Sequence, residues 1–119
     1  MDSKTKKFLV NHGYVKDGED FLEELFDNNN SFKQIDIDIY NDESAVLLGR
    51  INEKNVIVKT SEDKGIKRIM LKRKDKNRTL IININVSDIE DCIYKQFSES
   101  KIEFLFNIYN LSYKLVVTV

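Results

Sequence analysis

The sequence predicts an α+β domain, an antiparallel β-sheet of hairpins packed by two main helices over residues 19–27 and 87–97. Three observations predict it. Apolar and polar residues alternate over Phe32–Tyr40, and within Thr79–Val86 the residues Leu80, Ile82, Ile84 and Val86 oppose Ile81, Asn83 and Asn85, the period of half-buried strands. Phe21, Leu22, Leu25 and Phe26, and later Ile89, Ile93 and Phe97, recur at helical spacing. Proline is absent, so nothing forbids long strands. The 119 residues make one domain's worth of chain. A chain this long buries roughly two-thirds of its unfolded surface, enough to fold without disulfides or a structural metal.

Lys4–Val10 fits either a short helix or an edge strand. Asp17-Gly18 reads as a turn into the first main helix, Glu19–Asp27. Its acids Glu19, Asp20, Glu23 and Glu24 fall largely in the early turns, where the helix dipole favours negative charge. Asn28-Asn29-Asn30 stops it. Phe32–Tyr40 is a strand with Ile35, Ile37 and Ile39 on one face. Ser44–Ile51 and Asn55–Thr60 are expected to form a hairpin turning at Asn52-Glu53-Lys54. Ile66–Arg73 and Thr79–Val86 form a second, with its tip at Lys74-Asp75-Lys76-Asn77. Ser87-Asp88-Ile89-Glu90 has capping-box spacing and predicts a helix to about Phe97. Ile102–Tyr109 and Ser112–Val119 close the chain as a hairpin around Asn110-Leu111.

Hydrophobic residues make up 41% and charged residues 33%, a globular balance that excludes a disordered tail. The single cysteine, Cys92, rules out an intrachain disulfide and fits a reducing compartment. Phe8-Leu9-Val10 is too short for a signal-peptide core. No run approaches the ~18 apolar residues of a membrane span. A cytoplasmic, membrane-free protein is the expectation.

Catalytic and metal chemistry find little support. A nucleophilic site needs a nucleophile, a base and an orienting group. His12 is the only histidine, and Cys92 falls on a predicted buried face, where a thiol is inert. Asp36, Asp38, Asn41, Asp42 and Glu43 resemble a calcium loop only faintly. Such a loop needs glycine at its sixth position and an acid at its twelfth; Asn41 and Leu47 stand there. The four glycines are scattered and form no phosphate loop, and no Cys/His set has zinc spacing. No enzyme activity, cofactor or metal is expected.

Charge distribution carries the one signal above background. Lys64–Arg78 holds eight basic residues against one acid, a net of +7, whereas the other 104 residues carry −8. A basic ribbon on an acidic body orients itself toward a polyanion. Lysines and arginines at phosphates release counterions and make binding steeply salt-dependent. The expected phosphate contacts are Lys67, Arg68, Lys72, Arg73, Lys74, Lys76 and Arg78. The bland alternative is a solvated hairpin whose charges keep its edge from aggregating.

Lys7-Phe8-Leu9-Val10, then Val15-Lys16-Asp17-Gly18 and Phe21/Leu25, are similar to the opening strand, turn and first helix of a eukaryotic ribosomal protein family. This is the large-subunit family numbered twenty-two. Ile69–Val86 resembles its strand, basic turn and strand; a helix ending near Phe97, then Ile102, Leu105, Ile108 and Ser112-Tyr113-Lys114-Leu115, resembles its last helix and hairpin. The departures are that the family's second helix is lysine-rich, whereas residues 87–97 carry only Lys95, and that its acidic tail is missing. A competing register lays Gly65–Asn77 on that basic helix instead. The resemblance implies a structural component of the large subunit contacting rRNA phosphates. The rival reading is a protein-interaction module, such as a phage-encoded inhibitor or an immunity protein. It would occlude a basic partner with Asp36, Asp38, Asp42 and Glu43.

Overall fold

The alternating Phe32–Tyr40 segment lies at the centre of the sheet. In the computed structural model, which describes residues 1–119, it extends to β1 (Ser31–Asn41). Two helices precede it, α1 (Ser3–Asn11) and α2 (Glu19–Asp27). Six strands follow: β2 (Leu47–Asp63), β3 (Ile66–Arg73), β4 (Leu80–Asn85), β5 (Ile89–Gln96), β6 (Lys101–Ile108) and β7 (Leu111–Thr118). All pairings are antiparallel, in the order β4-β3-β2-β1-β7-β6-β5. The α+β class stands. No helix is long and apolar enough to cross a membrane.

The ends of this order are joined by very little chain. Asn85 ends one edge strand and Ile89 begins the other. Four Cα steps reach at most ~15 Å, whereas six strand spacings of a flat sheet span ~29 Å. The sheet must therefore curl until its edges approach. Its inner face wraps α2, whose Leu22 and Phe26 are fully buried against Phe32, Ile35, Ile37, Val56, Ile69, Leu71, Phe104 and Leu115. Helix α1, which the sequence left open between helix and strand, is capped by the Asp2 side chain accepting from the Thr5 amide. It lies on the outer face, where the Tyr14 hydroxyl just beyond it donates to Glu103.

Between α1 and α2 the chain passes around the β5 edge and pairs with it. Val15 and Tyr94 exchange backbone hydrogen bonds, and the Gly18 amide donates to the Cys92 carbonyl at 2.8 Å. Gly18 is buried, and a Cβ there would meet Cys92 Sγ and Tyr94 Cδ1 at 3.1 Å. Gly18→Val is expected to force these apart at a cost of ~1–3 kcal/mol. Urea denaturation of the variant checks this; an unchanged midpoint would refute the close packing.

Four expectations need correction. The helix over 87–97 does not form: a single 3-10 turn at Val86–Asp88 leads into strand β5. The pairing register with β6 shifts between Glu90 and Ile93, where Asp91 is left-handed at φ 54°. Such a bulge breaks the alternation of a strand. Ile89 and Cys92 therefore both pack into the inner core, and Ile93 is buried one residue later. The bulge reproduces a helix-like apolar spacing. Phe97, the expected end of that face, is 54% exposed.

The hairpin expected over 44–51 and 55–60 is one continuous strand. Asn52, Glu53 and Lys54 pair with Asp36, Ile35 and Gln34 instead of turning. The true turn precedes it, where the Asn41 side chain accepts from the Glu43 and Ser44 amides. Asn55, at φ 55°, kinks the strand. The opening strand implied for Lys7–Val10 is part of α1. Gly65–Asn77 contains β3, not a basic helix. The hairpins over 66–86 and 102–119 form as expected.

Candidate nucleic-acid interface

Strand alternation separates the seven expected phosphate contacts. Ile69 and Leu71 are fully buried on the inner face, so Lys67 and Arg73 share their side, and Arg68, Met70 and Lys72 face outward. The ion pairs agree with this division. Lys67 Nζ sits between Asp27 and Glu23 of α2, and Arg73 Nη2 is 2.7 Å from Glu53 Oε1. The pull of those acids raises the Lys67 pKa. These two cations neutralise the protein's own carboxylates. The structure does not bring them to a common surface with the rest.

The other five are unpaired. Arg68, Lys72, Lys74, Lys76 and Arg78 take part in none of the ion pairs. Lys74, Lys76 and Arg78 occupy the exposed β3–β4 tip. The tip's one acid, Asp75, is turned inward on its own loop. Its carboxylate accepts from the Thr79 amide at 3.1 Å and the Thr79 hydroxyl at 3.0 Å. Backbone donors hold its pKa below the ordinary carboxylate value.

One cation escaped sequence reasoning. Lys59 on β2 pairs with Met70 of β3 and points outward, because its neighbour Val58 is inward and buried. Lys59 therefore lies diagonally beside both Arg68 and Lys72, a separation of ~7–8 Å between strands. Reading β2 as one strand through Asp63 would have found it by alternation. The outer face of β2–β3 thus carries three cations around Met70, continuous with the three at the tip. A polar notch of about 470 Å³ adjoins this region, lined by Asn29, Asn30, Lys59, Lys74 and Arg78 among others.

The acidic surface of the rival reading is already occupied. Asp38 accepts from Arg50 Nε at 2.8 Å, which lowers its pKa. Asp36 accepts from Gln34 and Asn52. Asp42 accepts from the Ser112 hydroxyl at 2.6 Å and from the N-terminal ammonium at 2.9 Å; these donors lower its pKa to about 2. Three of the four carboxylates are thus engaged within the chain, whereas most of the basic set is free.

The two residues considered for nucleophilic chemistry do not meet. His12 is exposed at the end of α1, stacked on Phe8. Cys92 is 1% exposed and faces Gly18. Burial, with the Glu19 carboxylate nearby, pushes its thiol up to about 12. A thiol-reactive chromogen should therefore label no cysteine in the folded protein and one after denaturation. Rapid labelling of the native chain would contradict this environment.

These features define an α+β protein with a basic ribbon and open outer face. Comparisons with protein-family models, curated proteins and solved structures give no match.

Proposed function

We propose that the chain is a small non-enzymatic RNA-binding protein. Arg68 and Lys72 on the outer face and Lys74, Lys76 and Arg78 at the tip contact phosphates, with Lys59 beside them. The observation that carries this reading is that all six lack a carboxylate partner on an otherwise acidic chain. Phosphate contacts of this kind position a protein without reading base sequence. The curved ribbon suits a structured RNA backbone, whose sequence-bearing edges lie out of reach in its deep major groove.

Filter binding of a structured RNA across several salt concentrations tests the proposal. Affinity should fall steeply with salt and vary little between RNAs of unrelated sequence. A flat salt response would exclude phosphate contact as the source of binding. The finer proposal, a structural place on rRNA in the ribosomal large subunit, predicts co-sedimentation with large subunits through a gradient at low salt. Its absence from that fraction, with RNA binding retained, would leave the general reading and remove the ribosomal one.

A further inference from the structure

The two sheet edges are treated differently. Residues 15–18 hydrogen-bond to β5 and close it. At the other edge, the backbone of β4 makes no hydrogen bond outside its ladder with β3. Leu80-Ile81-Ile82-Asn83-Ile84-Asn85 contains no charge and no proline, two of the devices that ordinarily keep an edge from pairing. Its one irregularity, the register shift at Ile81, lies outside Ile82–Asn85. We propose that this edge is a homodimer interface, in which β4 pairs antiparallel with β4 of a second copy across a two-fold axis.

The sequence selects the register. A two-fold perpendicular to the sheet keeps inner faces on one side, so the paired positions must have the same parity. Placing Asn83 opposite itself sets Ile82 against the second copy's Ile84. Both isoleucines are inward, as the pairing of Ile82 with Leu71 and of Ile84 with Ile69 shows. The apolar inner face would continue across the junction, and Asn83, exposed on the outer face, would meet its own amide. Slipping by one residue would place inward isoleucines against outward side chains.

Charge supports a second copy as the occupant. Antiparallel pairing brings the start of β4 in one chain to its end in the other. Before β4 lies Lys72–Arg78, with five cations and one acid; just after it come Asp88, Glu90 and Asp91. The basic tip of each chain would therefore face the acidic end of the other, so that the contact occurs twice, as an isologous interface requires. RNA, which draws on the same tip cations, should compete with the dimer. Asp88 and Asp91 carry local partners, Tyr109 and Lys6, but the segment keeps its negative character through exposed Glu90.

Sedimentation of the full chain without RNA tests this inference independently of the functional reading. The mass should rise with concentration from 14.0 kDa toward twice that value, and the dimer should weaken with salt. Asn83→Lys would place like charges directly opposite on the axis and should abolish the dimer without altering the circular-dichroism spectrum, because Asn83 is exposed. Asn83→Cys should form an intermolecular disulfide on mild oxidation, since directly opposed strand residues lie within bridging distance. A monomer at every concentration, or a dimer indifferent to Asn83→Lys, would overturn the proposal.

Discussion

Phe104→Ala should destabilise the protein by about 3–5 kcal/mol, the range for emptying a fully buried phenylalanine site. That is between about a fifth and all of the ~5–15 kcal/mol by which domains are usually stable. Phe104 has no exposed surface; its ring lies 5.8 Å from that of Phe21 and 6.0 Å from that of Tyr94. The site is shared by β6, β5 and α2, so it cannot collapse without moving the helix that the sheet enwraps. Phe97→Ala is the matched comparison. Phe97 is 54% exposed, and its loss should change stability by no more than about 0.5 kcal/mol. Urea denaturation should show a large fall in midpoint for Phe104→Ala, with an unchanged slope. Equal losses in the two variants would mean that residues 87–97 bury Phe97 as a helix face, contrary to the strand.

That pair of residues also shows what the sequence can disclose. Apolar alternation over β1, β4 and the last hairpin was legible, because the inward positions of these strands are apolar and most of the outward ones are polar. The α2 stripe was legible for the same reason at helical period. β5 was not, since its bulge at Asp91 breaks the alternation and Ser87-Asp88-Ile89-Glu90 has capping-box spacing. A local signal cannot register that Ile102–Ile108 offers a neighbouring ladder, and strand preference follows that tertiary context. The middle of β2 was lost in the same way, because Asn52-Glu53-Lys54 reads as a turn until the length of β1 is known. For the interface, the sequence revealed the concentration of charge. It did not disclose which cations were already paired, because Glu23, Asp27 and Glu53 lie far along the chain from their partners and only the folded sheet brings them together.

The division among the cations leads to the second large effect. Replacing Arg68, Lys72, Lys74, Lys76 and Arg78 together by Gln should lower the log–log salt slope of RNA binding by about 3.5–4.5, at roughly 0.7–0.9 per phosphate contact. Between about 50 and 200 mM salt, a fourfold change, this amounts to roughly 100- to 500-fold of salt-sensitive affinity. Replacing Lys67 and Arg73 in the same way should leave the slope unchanged. The reason is net charge. Lys67 with Glu23 and Asp27 sums to −1, and Arg73 with Glu53 sums to zero. Exposed pairs are weak, typically ~0.2–1 kcal/mol, so Arg73 could swing away from Glu53 at little cost. It would leave behind a carboxylate facing the same phosphate, however, and the gain would largely cancel. Lys67 is the harder case, with its side chain only 22% exposed and two acids around it. Filter binding with the two variants at matched salt separates the sets, and circular dichroism confirms that both fold. Equal slope losses per residue in the two sets would show that RNA draws on the whole +7 segment regardless of its partners, and the outer-face interface would then be wrong.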